Sequence, residues 1–136
     1  MCSSDLMGLT LDFGHCLMAG ENPGQSAALA GQEGKLYGVQ LNDGFVRPGC
    51  EDGLALGTVH PSMTLEFIYW LQRFDYQGHI YFDTFPKNED PVREAEYNIR
   101  RFRKWWNLAK TLDQKGFQEM LENQDTMSIL ELLEDQ

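Results

Sequence analysis

Short apolar runs alternate along this chain with longer stretches of helical period. Residues 8–13 (GLTLDF) form an apolar run ending at Gly14-His15, which predicts a short buried strand. Residues 22–32 are Ala-rich with Pro23 near the start, where its fixed φ suits a first helical turn, and Gly34 stops the helix. Residues 36–41 (LYGVQL) predict a second strand, followed at once by the turn sequence Asn42-Asp43-Gly44. Residues 45–57 read as a Gly-containing loop with acids at its centre. Pro61 opens a helix to about Phe74, with Met63, Phe67, Trp70, Leu71 and Phe74 on one face. Gly78 closes the next turn, and residues 79–82 (HIYF) predict a third strand ending in Asp83. Asp90-Pro91 joins an N-cap to a proline at the first helical position. Val92, Ala95, Ile99, Phe102, Trp106 and Ala109 then step by alternate threes and fours, the spacing of a long amphipathic helix. Glu96 and Arg100 form a favourable i,i+4 pair on it. Two short helical patterns follow, one marked by Phe117, Met120 and Leu121. The other is marked by Ile129, Leu130, Leu132 and Leu133, with Asp125 or Thr126 as cap. These leucines are expected to dock on the rest of the protein or on a partner subunit.

The order β-α-β-loop-α-β-α indicates parallel βαβ units and an α/β fold. The continuous apolar strands are those expected when helices cover both faces of a sheet. At 136 residues, with 42% hydrophobic and 24% charged positions, the chain can build a packed core. No apolar run approaches the roughly 20 residues that span a bilayer, so no membrane role is expected.

The net charge of −10 is uneven. Residues 113–136 carry −6 and residues 1–112 only −4. An acidic chain repels phosphate backbones, so nucleic acid is not an expected partner. The one basic cluster, Arg100, Arg101, Arg103 and Lys104, lies within a helical pattern and reads as a solvated face. Cys2, Cys16 and Cys50 are odd in number and irregular in spacing, which fits neither a disulfide framework nor a thiolate metal site. With no leader pattern, a reducing cytoplasm is the expected location. Met1–Leu6 can be encoded by the end of a common sequencing-library adapter, so residues 1–6 are expected to be a non-native head.

Each predicted strand delivers polar side chains at its C-terminal end. The first gives Asp12 and His15, the second Gln40, Asn42 and Asp43, and the third Asp83. Parallel strands of an α/β barrel direct these ends to one mouth, where active sites lie. The loop after the second strand can bring Glu51 and Asp52 over the same mouth. Carboxylates gathered without bases repel each other unless a divalent cation sits between them. Oxygen ligands with one imidazole suit Mg²⁺ or Mn²⁺. His60 precedes a helix and His79 opens a strand at the far end, so both read as structural.

With these residues in place, the chain resembles the xylose isomerase-like TIM barrel superfamily, nearest to its rhamnose isomerase branch. The residues carrying the resemblance are Leu11-Asp12-Phe13-Gly14-His15, Gly34-Lys35-Leu36 and Gly38-Val39-Gln40-Leu41-Asn42-Asp43. Glu51-Asp52-Gly53-Leu54, Gly57-Thr58-Val59-His60-Pro61 and Phe82-Asp83 with Asp90-Pro91 complete the ordered set. The resemblance implies a metal-dependent sugar isomerase that interconverts aldose and ketose. The same superfamily also holds sugar and sugar-phosphate epimerases, and a non-catalytic α/β ligand-binding module is a third reading. The implied metal ligands are Asp12, Gln40, Glu51, Asp52 and Asp83. Gln40 stands where the family commonly has His or Asp, and coordinates through its carbonyl oxygen. His15 and Asp43 are the implied catalytic residues, and His15 with Asn42 the implied sugar contacts. The implied fold is the C-terminal part of a (β/α)8 barrel, with residues 7–112 as units six to eight and 113–136 as an acidic helical tail. A whole barrel takes about 250 residues. Five further strands and a Glu ligand would therefore precede this chain in a homo-oligomeric full-length enzyme. The fragment alone is expected to be inactive.

Overall fold

The structure is a computed structural model that describes residues 6–134. The expected non-native head therefore lies outside the described residues except for Leu6. Nine elements follow in order: β1 (Leu9–Asp12), α1 (Phe13–Ala19), α2 (Pro23–Gln32), β2 (Leu36–Leu41), α3 (Pro61–Arg73), β3 (Ile80–Phe82), α4 (Pro91–Gln114), α5 (Phe117–Glu122) and α6 (Thr126–Glu134). The class is mixed α/β, with a three-stranded sheet in the order β1-β2-β3. Both pairings are parallel, and Asp12, Gln40 and Tyr81 share one row across the sheet.

Local chemistry sets most of the boundaries. The Asn22 side chain accepts the Gln25 N–H at 3.1 Å and caps α2, with Pro23 at its first position. Asp90 caps α4 in the same way through the Arg93 N–H at 2.9 Å. After α3 the left-handed position is taken by Asp75 (φ 49°).

The expected strand over residues 8–13 is shorter, because Phe13 already begins α1. This seven-residue helix carries no apolar period long enough to announce it. Its signals are an N-cap at Asp12 and Gly20 in the left-handed conformation (φ 73°), whose N–H bonds back to Cys16 and Leu17.

The two faces of the sheet differ. Val39 and Leu41 are buried, and Leu11, Ile80 and Phe82 pack beside them against the helices. α3 lies between α2 and α4 on this side. Phe67 and Leu71 of α3 are fully buried, and Phe67 meets Phe13 edge-on at 5.8 Å. The other face holds Thr10, Gly38, Gln40 and Tyr81, of which Tyr81 is 59% exposed. Helices thus cover one face, where continuous apolar strands led us to expect two.

α4 also turns a partly different side inward. Asn98, Trp105, Ala109 and Leu112 are buried, whereas Val92 and Ile99 are exposed. Of the expected face, Phe102, Trp106 and Ala109 do pack in or against the core, while Val92, Ala95 and Ile99 near the start of the helix do not. A polar group drives this: Asn98 Oδ1 accepts the buried Leu56 N–H at 2.9 Å. Trp105 turns inward against Gly57 (φ 68°), where a Cβ would lie 2.0 Å from its ring. Arg100 pairs with Glu96 at 3.7 Å as expected, but Arg101 is not simply solvated: its guanidinium stacks on Trp105 at 4.3 Å. In the tail, Phe117 packs edge-on against Tyr69 at 5.0 Å, while Met127 and Leu130 remain exposed.

Candidate metal centre

β1 ends on Asp12 and α1 starts on the next residue, so Asp12 is both the last strand residue and the helix cap. Its Oδ1 accepts the His15 N–H at 3.0 Å. Its Oδ2 is buried and has no hydrogen-bond partner. A buried carboxylate oxygen left unpartnered is costly, and a cation beside it would relieve that cost.

α1 carries His15 to the same end of the sheet. His15 Nε2 lies 3.0 Å from Glu51 Oε2. Glu51 comes from the long loop after β2, which is anchored on both sides of it. Asp43 and Leu54 exchange backbone hydrogen bonds of 2.9 and 2.8 Å. Asn42, fully buried, holds the pieces together. Its Nδ2 donates to Glu51 Oε1 at 3.0 Å and, at 3.5 Å, to Asp12 Oδ1. Its Oδ1 accepts the Gly14 N–H at 2.7 Å. A Cβ on residue 14 would lie 2.7 Å from that same oxygen, so glycine permits α1 to close on Asn42.

One ligand atom from each of Asp12, His15 and Glu51 lies within 4.8 Å of the others. A divalent ion bound to oxygens at roughly 2.0–2.6 Å fits a triangle of that size. The hydrogen bond to Glu51 raises the His15 pKa above its ordinary value. Partial burial opposes this, and the negative charges of Asp12, Glu51 and Asp83 reinforce it.

The remaining sequence candidates fall into two groups. Gln40 and Asp83 stand at the same end of the sheet, but Asp83 is not among the three grouped ligands. Gln40 is the row partner of Asp12, and Asp83 follows β3 with its N–H donated to Leu41 O at 3.0 Å. Asp43 and Asp52 instead hold the loop. Buried Asp43 accepts N–H groups from Gly44, Val59 and His60 at 2.8, 2.7 and 2.8 Å. It also lies 2.9 Å from His60 Nδ1. Asp52 pairs with Arg47 and accepts the Phe45 N–H at 2.8 Å. Asn42 is sealed from solvent, so its amide positions Asp12 and Glu51. His79 lies just before β3, at the opposite end of the strands, and its carbonyl accepts the Tyr76 hydroxyl at 2.8 Å.

Two supporting roles are not readable from the sequence. Gly14 was visible only as part of Asp-x-Gly-His. Asn98 left a signal as a polar residue beside the apolar Ile99 on α4, but its partner Leu56 is 42 residues away.

Chemically, the arrangement offers a hard, mostly oxygen ligand set and an imidazole–carboxylate pair able to hold a proton. Among the described residues no helix is long and apolar enough to cross a membrane. A scan against protein-family models finds no match to this chain, and a search of curated proteins finds none.

Proposed function

We propose that this chain carries part of the active site of a metal-dependent sugar isomerase. In this reading β1, β2 and β3 are strands six to eight of a (β/α)8 barrel, and residues 113–136 are its helical tail. Three features support the barrel. The strands are parallel and lie in sequence order, the helices flank α3 on one face, and the open face carries Asp12, Gln40 and Tyr81 as a barrel interior would.

The observation that carries the reading is the buried, unpartnered Oδ2 of Asp12 beside His15 and Glu51 at the C-terminal end of the strands. These three would hold Mn²⁺ or Mg²⁺, and Gln40 and Asp83 are proposed as further ligands from the same end of the sheet. The ion, when bound, polarises the carbonyl and neighbouring hydroxyl of a small sugar. The chain's own residues do the rest. The helix cap fixes Asp12, Asn42 holds Asp12 and Glu51 together, and the His15–Glu51 contact keeps those two side chains at the site, giving up its proton when the ion binds. The complete enzyme is proposed to interconvert aldose and ketose as a cytoplasmic homo-oligomer.

Epimerisation by proton transfer is a second reading. It is favoured by the His15–Glu51 pair, and by Asp52 being engaged with Arg47 instead of joining a second-metal set.

Calorimetric titration of this chain with MnCl2 and MgCl2 tests the site. Saturable binding that is lost in Asp12→Asn is expected, and equal binding by both proteins rejects the assignment. In the full-length gene, Asp83→Ala should abolish aldose–ketose turnover. Undiminished turnover with metal retained rejects the role of Asp83.

A further inference from the structure

A second site lies between the helices, and it shares no residue with the Asp12–His15–Glu51 cluster. α3, α4, α5 and α6 enclose a cavity of about 450 Å³. Its walls are aromatic and aliphatic: Tyr69 and Trp70 from α3, Trp105 and Leu108 from α4, Phe117 from α5 and Leu133 from α6. That volume and lining are those of a small-molecule pocket.

The charge at its edge narrows the choice of ligand. Arg101 and Lys104 border the cavity from α4, and Glu66 borders it from α3, leaving one positive charge in excess. Glu66 already accepts a long hydrogen bond from Asn22 at 3.4 Å. Arg101 makes no ion pair among the described residues. Its guanidinium carbon lies 4.3 Å from the Trp105 ring centroid, and its Nε is buried without a hydrogen-bond partner. A guanidinium at the edge of an apolar cavity, paired with no carboxylate among the described residues, is a receptor for a planar anion.

We propose that this cavity binds an amphiphilic monocarboxylate, its apolar body among the aromatic walls and its carboxylate on Arg101. Lys104 adds a second, more exposed positive charge. A neutral body of the same length would fill the walls equally well but leave Arg101 unmet. A cationic one would be repelled. Recognition therefore requires both the chain and the carboxylate.

Trp70 and Trp105 line the cavity and report on it directly. The test titrates the full chain with decanoate and with 1-decanol while following tryptophan fluorescence. Saturable one-to-one binding of decanoate is expected, with affinity at least about tenfold above that of decanol, the scale of a charge-assisted contact. Arg101→Gln should remove that preference while leaving the weaker decanol binding in place. Equal affinity for the two ligands, an unchanged preference in Arg101→Gln, or no saturable decanoate binding would overturn the proposal. Should Arg101→Gln fail to fold by circular dichroism, the comparison of decanoate with decanol on the unmodified chain decides the matter alone.

Discussion

Asp12 caps α1 through Oδ1 and leaves Oδ2 buried without a partner, so its two oxygens can be separated by mutation. Asn is as good an N-cap as Asp, and Ala is not. Asp12→Asn is therefore expected to keep the stability of the fold and lose the metal. Asp12→Ala should lose the metal and, in addition, about 1 kcal/mol of stability. Urea unfolding beside calorimetry with MnCl2 resolves the two effects, and a large loss of stability in Asp12→Asn would show that the charge holds the fold. His15 adds a pH dependence. Its folded pKa lies above the ordinary 6.5, chiefly through Glu51. The folded state thus binds that proton more tightly than the unfolded chain does. The resulting stability is fully present below pH 6.5 and is lost as pH rises through the raised value. Because the His15 side chain is 58% exposed, the effect on the urea midpoint should be small. An NMR titration of the His15 ring is the sharper measurement. It should move down in Glu51→Gln, and an unmoved titration would deny the contact. Which acids converge was not legible at this scale. Asp12, Asp43, Glu51, Asp52 and Asp83 all read as strand-end or loop carboxylates, and only the path of the loop turns Glu51 to His15 and Asp52 to Arg47.

At the scale of elements, the boundaries that rest on adjacent residues were legible, and the faces that rest on distant ones were not. Asn22-Pro23 and Asp90-Pro91 announce α2 and α4 because cap and proline act within one turn. α1 escaped notice because β1 passes into it with no connecting residue, and Asp12 serves both. Part of the inward face of α4 escaped because Asn98 faces inward for Leu56 and Trp105 for Gly57, partners that no helical period records. Those two contacts tie α4 to the end of the loop that carries Glu51. Asn98→Ala would leave the buried Leu56 N–H unpaired, a cost of about 1–3 kcal/mol. Gly57→Ala would drive a methyl into Trp105 at a left-handed position, with a cost of similar size, about 1–3 kcal/mol. Both variants should lower the denaturation midpoint and weaken Mn²⁺ binding together. Asn98 is far from the ligands in sequence, so weakened binding would show that the loop needs α4 behind it. Unchanged binding in a destabilised Asn98→Ala would show that Asp43 and Leu54 hold the loop unaided.

For the molecule as a whole, the arrangement of apolar surface is the informative feature. α3 is flanked by α2 and α4, whose other substantial helix contacts among the described residues are only with the short helices α1 and α5. Their outer sides are apolar: Leu29 on α2 is 60% exposed, and Val92 and Ile99 on α4 are 65% and 42% exposed. The outer edges of β1 and β3 pair with no strand among the described residues. Leu9 (53% exposed) lies at the first edge, on β1. Unpaired parallel edges flanked by apolar helices are templates for further strand–helix units. Electrostatic repulsion opposes close approach of two copies, but −6 of the −10 sits in residues 113–136, leaving only −4 on the part that carries the sheet. Association should therefore win as concentration rises and as salt screens the tail. Sedimentation velocity is expected to show species heavier than 15.6 kDa that grow with concentration and with added NaCl. Leu29→Lys with Val92→Lys should return the chain to a monomer without changing its circular dichroism, because both side chains already face solvent. A chain that stays monomeric at every concentration and salt would mean that these edges are finished surfaces, and would count against the barrel reading.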